Sequence, residues 1–237
     1  MDILTSLAVI TLAALVHSSF QLSVSVLTLL SGHAIGSSRS RSRLVGLTTS
    51  FVAGSAIITV LLLSFLAFVL SQLFGNQPPL LLWSVVCGIM LAVGIAVWIF
   101  YYRRQKGTSL WIPRGMAEFL RDRTKVTKSS AEAFSLGMTS VVGELLFVIA
   151  PLLASALILT TLPPLWQLLG IAIYAVVSLL TLGSVWVLIG SGHKLSEIQQ
   201  WRESNKYFLQ FAAGSALIVL GIFLYVFMVM ANSPGGM

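Results

Sequence analysis

A single acidic residue, Glu144, lies inside an apolar stretch long enough to cross a membrane. A charge near the bilayer centre costs about 2.5 kcal/mol or more, so such a residue points to a functional site. Gly143 permits close backbone approach, and Pro151 removes a helical donor. Together they predict a kinked span, gated at Gly143 and Pro151, whose carboxylate binds a cation or proton. The alternative is a structural carboxylate that is hydrogen-bonded to a neighbouring helix or lies nearer the membrane surface.

Polar residues in the first apolar segment are possible partners for this carboxylate. His17 and Gln21 are four residues apart and share a helix face, with Ser18 on a neighbouring face. If they meet Glu144 and Ser140, they form a small polar cavity that binds a substrate. Alternatively, the serines and Gln21 hydrogen-bond between helices, a common use of such residues in membranes.

Motifs of hydrolytic or metal chemistry are missing from the sequence. It has no HExxH motif, no pair of carboxylates within the spans and no dithiol, and Cys87 is the single cysteine. Ser140 and His17 could act as nucleophile and base, but nothing in the sequence fixes their geometry. Two Ser-Gly-His triplets, at 31–33 and 191–193, are explained more simply by helix termination than by a metal gate. We therefore expect no enzymatic activity, no metal and no cofactor.

The composition requires lipid as the solvent for much of the chain. Of 237 residues, 57% are hydrophobic and only 9% are charged, whereas soluble domains carry about 25% charged residues. The net charge of +7 does not indicate nucleic-acid binding, because the charges lie between apolar segments. We expect a membrane protein whose main partner is the bilayer, with no nucleic-acid partner.

Six apolar segments predict an all-α bundle of six transmembrane helices. Each segment is long enough to cross a hydrocarbon core of about 30 Å. Helices are expected because lipid offers the backbone no hydrogen-bond partner. The segments cover approximately 3–35, 44–74, 80–102, 133–161, 165–189 and 207–230.

The 14 lysines and arginines are confined to three of the five connections, 36–43, 103–128 and 191–206. The positive-inside rule places these three connections in the cytoplasm and both termini outside, in what we expect to be a bacterial inner membrane. The central connection includes 111–123, which predicts a short helix at the membrane surface with Met116 and Leu120 toward lipid. That helix is either an anchoring linker or a docking site for a protein partner.

The two halves of the chain align when one is shifted by about 124 residues. Residues 1–105 and 131–237 then form two three-span units, with the basic connection 106–130 between them. An odd number of spans turns the second unit over, so the repeats are inverted. Inverted repeats are typical of secondary transporters, whose substrate site lies where the repeats meet.

This layout, together with the last span's Phe211–Ile222, resembles the LysE-type exporters and the related CcdA/DsbD-like membrane proteins. The resemblance covers the whole chain and implies a transporter-like scaffold. In the CcdA/DsbD branch a cysteine in each repeat carries electrons, whereas Cys87 is alone here, in the third span. Metal-exporting branches place acidic pairs in spans one and four, where this chain has Gln21 and Glu144. Both departures argue against the activities of those branches.

The sequence thus favours a small secondary transporter, an exporter of an unidentified small solute or ion, with its path between the repeats. The alternative is a non-transporting subunit or assembly factor that docks a protein partner through the basic connections.

Overall fold

The computed structural model describes residues 2–20, 22–34, 40–100, 114–193 and 195–231. All regular structure in these residues is helical, which confirms the predicted all-α class. The helices are α1 (Ile3–Ser18), α2 (Leu22–Ala34), α3 (Ser40–Phe74), α4 (Leu80–Phe100), α5 (Arg114–Val126), α6 (Ser130–Thr161), α7 (Pro164–Ser178), α8 (Leu180–Ser191), α9 (Leu195–Ser204) and α10 (Lys206–Leu224), which continues as a π-helix over Tyr225–Met230.

Four helices are long and apolar enough to cross a membrane, judged by length and composition: α3, α4, α6 and α10 with its π-helical extension. Two further candidate spans are bent pairs. The axes of α1 and α2 meet at 48°, and those of α7 and α8 meet at 50°. The predicted six spans therefore correspond to counting each bent pair as one crossing.

Neither bend contains a proline or glycine. Between α1 and α2 the described residues are Ser19 and Phe20, and the second bend falls at Leu179, whose backbone (φ −94°, ψ 3°) leaves the helical region. Conversely, the helix that contains Pro151 runs uninterrupted from Ser130 to Thr161. Proline fixes a helical φ and removes only one backbone bond, so α6 continues through it.

Close backbone contact joins α3 to α6, which lie along one another. A Cβ added at Gly54 would overlap the carbonyl of Phe134, and one added at Gly137 would overlap the carbonyl of Phe51. The contact is reciprocal, since each helix presents a glycine to the other's phenylalanine backbone. Such small-residue crossings hold helices together in lipid, where apolar burial supplies little driving force.

The third and sixth candidate spans, α4 and α10, also pack together through glycine. A Cβ on Gly94 would lie 3.0 Å from the carbonyl oxygen of Gly214. Gln210 then donates from Nε2 to the carbonyl oxygens of Val97 at 2.7 Å and Trp98 at 2.6 Å. This pair is therefore tied by a polar side chain as well as by packing.

The described parts of the basic connections converge at one end of the bundle, which we call the basic end and define by Arg43, α5 and α9. Arg43 Nη2 donates to the carbonyl oxygen of Lys128 at 3.3 Å, joining the starts of α3 and α6. Arg202 in α9 donates to Ser25 Oγ in α2 at 2.7 Å. Helix α5 packs against α2 and α6, so Leu120 is buried in protein rather than turned to lipid as predicted.

The glycine contact between α3 and α6 can be tested by adding one methyl group. We expect Gly54→Ala to lower the free energy of unfolding by roughly 1–3 kcal/mol, because the new Cβ forces the helices apart. Gly46→Ala in the same helix is the control, since nothing lies within 4 Å of its Cβ position. Unfolding of both variants in the same detergent is monitored by circular dichroism. Equal midpoints for the two variants would contradict the close contact.

Candidate functional site

The carboxylate of Glu144 lies at the first residues of α2, directly after the bend in the first candidate span. Its Oε1 accepts a hydrogen bond from the backbone nitrogen of Leu22 at 2.7 Å, and its Oε2 accepts one from Ser23 Oγ at 2.9 Å. Only 3% of the Glu144 surface is exposed. A side chain of α6 thus caps the N-terminus of a different helix.

This cap compensates for the break in the chain. The first N–H groups of any helix have no acceptor within that helix. Leaving a buried donor without an acceptor costs roughly 1–3 kcal/mol. A negative charge at a helix N-terminus is also favoured by the aligned peptide dipoles. Glu144 therefore stabilises the bend electrostatically and by direct hydrogen bonds.

Neighbouring residues of α6 complete the surroundings of the carboxylate. Ser140 Oγ lies 3.2 Å from Ser23 Oγ and donates to the carbonyl oxygen of Gly137 at 2.8 Å. At Gly143, a Cβ would lie 3.2 Å from Leu22 Cδ2 and 3.4 Å from Met116 Cγ, so the missing side chain lets α2 and α5 approach. Gly143 is a packing position here.

A second group of polar residues joins α1 to the other bent pair. His17 Nδ1 lies 3.0 Å from the hydroxyl of Tyr174 in α7, and both side chains are buried. Ser18 Oγ lies 2.9 Å from Thr181 Oγ1 and accepts from the backbone nitrogen of Thr181 at 3.2 Å. Ser18 thus accepts a hydrogen bond from a backbone nitrogen at the start of α8, as Glu144 does at the start of α2.

A positive charge accompanies the Glu144 carboxylate. The Arg202 guanidinium, buried at 2% exposure, bonds to Ser25 in the first turn of α2 and interacts electrostatically with Glu144. Within the part of the chain that the structure describes, no group of three or more His, Cys, Asp or Glu residues could hold a metal ion. The arrangement is suited to exchanging one anionic group for another at the helix end.

The predicted site residues divide into two groups. The structure brings Glu144 and Ser140 together, and it places His17 and Ser18 with α7 and α8 instead. Gln21 lies outside the described residues. Pro151 lies further along α6 than Glu144 and does not interrupt that helix.

Four partners in these two groups were not among the predicted site residues. Ser23 had a signal, since it belongs to the polar stripe of the first segment. Tyr174 and Thr181 are polar residues in an otherwise apolar segment, which is a weaker signal. No sequence feature pointed to Arg202, because a basic residue in a connection is expected to be solvated. These four partners are Ser23, Tyr174, Thr181 and Arg202.

Comparison of this chain with protein-family models, with curated proteins and with solved structures finds no match.

Removing the carboxylate tests its capping role. We expect Glu144→Ala to lower the free energy of unfolding by about 2 kcal/mol or more, because buried donors at the start of α2 lose their acceptor. Glu144→Gln should cost less, since its amide oxygen can still accept from Leu22. Glu118→Ala, at an exposed position of α5, is the control and should change stability by less than about 0.5 kcal/mol. Unfolding in a single detergent measures all three, and equal stability of the two alanine variants would rule out the cap.

Proposed function

We propose that this protein is a small secondary transporter and that its cargo, a small solute or ion, passes between the two bent helix pairs. The apolar helices fit a membrane-spanning protein. The observation that carries the proposal is the meeting of two helix breaks, each with a helix N-terminus capped by a side chain from another element.

Broken helices support this proposal for a physical reason. Backbone that leaves helical geometry at membrane depth is tolerated only where protein or a water-lined cavity satisfies it. In secondary transporters, the ends of discontinuous helices point at the substrate and its coupling ions. Helices α2 and α8 begin at such ends. A cargo group that replaced Glu144 or Ser18 at one of these ends would find donors already in place.

The position of Glu144 along α6 indicates which packed contact between helices must separate to open the path. It lies 17 residues from Thr161, or about 26 Å at 1.5 Å per residue, so it is close to the basic end of a core about 30 Å thick. On the other side, α1 and α7 pack together, and a Cβ at Gly170 would lie 3.0 Å from Ile10 Cδ1. We propose that separation of α1 from α7 opens the path away from the basic end.

The pattern of helix pairs supports the inverted-repeat hypothesis within this proposal. The repeat equates α1 with α6, α3 with α7, and α4 with α10. The contact between α3 and α6 in one arrangement therefore corresponds to the contact between α7 and α1, and the contact between α4 and α10 corresponds to itself. All three pairs are in contact. The bends, however, fall in the first and fifth candidate spans, which the repeat does not equate. Any symmetry therefore concerns the arrangement of helices and not their continuity.

One observation favours the second candidate, a non-transporting membrane subunit. The hydrogen bonds to Glu144 come from protein groups, Leu22 and Ser23, as expected of a structural cap. In that case α5 and the basic connections would dock a protein partner, and the helix breaks would stay closed.

Water access to the site distinguishes the two candidates. The test uses a Cys87→Ser background, which has no other cysteine, and adds Ser140→Cys. We expect a membrane-impermeant thiol reagent to modify this cysteine from both sides of sealed vesicles of known orientation, because an alternating path exposes it to each in turn.

Two matched variants serve as controls for this labelling experiment. Ser55→Cys is a packed control, since Ser55 Oγ also donates to the carbonyl oxygen of Gly137, at 3.2 Å, and is equally buried. Ser135→Cys is an exposed position on α6 near the basic end. If Ser140→Cys is as protected as Ser55→Cys from both sides, the transport proposal fails and the subunit hypothesis is favoured.

A further inference from the structure

A groove of about 300 Å³ lies between α5 and the first three turns of α6, separate from the Glu144 site. One part of its lining is apolar and the other is polar or charged. The residues that matter here are Phe119, Val126 and Leu136 on the apolar part, and Arg123, Glu132 and Thr139 on the polar part.

Two opposite charges share this groove without forming an ion pair. Among the described residues, no carboxylate lies within 4 Å of the Arg123 guanidinium, which instead sits 5.9 Å from the centroid of the Phe119 ring. Glu132 Oε2 accepts from the backbone nitrogens of Lys128 at 2.7 Å and Ser129 at 3.1 Å. A carboxylate has about four acceptor positions, so Glu132 can still accept from a ligand.

Counted along α6, the groove begins just outside the hydrocarbon core at the basic end. Residues 139 to 131 are about 33 to 45 Å from Thr161 along α6, at 1.5 Å per residue. If Thr161 marks the far edge of a hydrocarbon core about 30 Å thick, one headgroup layer of about 5–8 Å follows it at the basic end, so Thr139 and Leu136 fall in that layer and Glu132 falls just beyond it. Phe119 is 47% exposed and Val126 is 56% exposed, beside charged residues of the same helix. Apolar and charged groups side by side suit the boundary between headgroup and acyl chain.

We propose that this groove binds a zwitterionic phospholipid with a primary ammonium headgroup, from the leaflet at the basic end. Arg123 binds the phosphate, and Glu132 accepts hydrogen bonds from the ammonium. The upper acyl chain packs against Phe119, Val126 and Leu136. This proposal does not depend on transport.

The charge pattern selects this headgroup over two others. A headgroup with a net negative charge can bind Arg123 through its phosphate, but it has no cation to bind the Glu132 carboxylate. A quaternary ammonium has no N–H to donate to that carboxylate. A primary ammonium next to a phosphate satisfies both charges of the groove at once, with charge-assisted hydrogen bonds on each side.

The bound lipid would also stabilise the surroundings of Glu144. It fills the space between α5 and α6, and the Met116 side chain of α5 contacts the Gly143 position beside Glu144. Lipid composition would therefore influence how firmly α5 covers the start of α2.

The experiment measures lipid binding to the full-length purified protein by native mass spectrometry. The probes are phosphatidylethanolamine, phosphatidylglycerol and phosphatidylcholine with identical acyl chains, and water-soluble phosphoethanolamine. We expect phosphatidylethanolamine to bind about tenfold more tightly than the other two lipids, which corresponds to one charge-assisted hydrogen bond. Soluble phosphoethanolamine should bind far more weakly, because it lacks the acyl chain.

Three variants test the assigned roles. Arg123→Gln should weaken binding of all three lipids about tenfold. Arg121→Gln removes the same charge two residues away, from a side chain that faces Asp122 at 3.5 Å, and should change binding less than about twofold. Glu132→Gln should abolish the preference for phosphatidylethanolamine while keeping the helix cap, because glutamine also completes a capping box.

Two outcomes would overturn the proposal. Equal losses in Arg121→Gln and Arg123→Gln would show general charge attraction and not a groove. Binding of soluble phosphoethanolamine as tight as that of the lipid would show a site for a free phosphate compound. Unfolding midpoints within error of the unaltered protein confirm that each variant is folded.

Discussion

Hydrocarbon offers no hydrogen-bond partner to the backbone, so the protein itself must satisfy any break in a spanning helix. Glu144 does this for the first candidate span, where it accepts from the amide of Leu22 and the hydroxyl of Ser23. Ser18 does the same for the start of α8. The bend of each pair therefore depends on a residue from a different helix, and the first, fourth and fifth candidate spans form one connected unit.

This mutual dependence explains what sequence analysis could and could not predict. The all-α class and the apolar segments follow from composition, and the cost of a charge in lipid singles out Glu144 as a residue that needs partners. The bends do not, because their local sequences, Ser19-Phe20 and Leu179, contain no helix-breaking residue. The hydrogen bonds that stabilise the bends come from residues distant in the sequence, Glu144 for the first bend and Ser18 for the second. Pro151 shows the converse, since a local signal for a kink lies within a continuous helix.

The basic end joins the two proposals without making one depend on the other. Helix α5 is positioned by Leu120, which is buried against the bundle, and its other side borders the groove that contains Arg123 and Glu132. The same helix covers the start of α2 through Met116. A lipid held in the groove and the carboxylate of Glu144 are thus separated by a single amphipathic helix, α5. Lipid binding can therefore affect the Glu144 site through the position of this helix.

The most direct test of this account is residue-resolved hydrogen exchange of the protein in lipid bilayers. If Glu144 caps α2, the amide of Leu22 should exchange slowly and should accelerate about tenfold or more in Glu144→Ala, which corresponds to losing roughly 1.4 kcal/mol of protection. The amide of Thr5, capped by Asp2 Oδ1 at 3.0 Å, should not change. Unchanged exchange at Leu22, or equal acceleration at Thr5, would contradict the claim that this carboxylate holds the break.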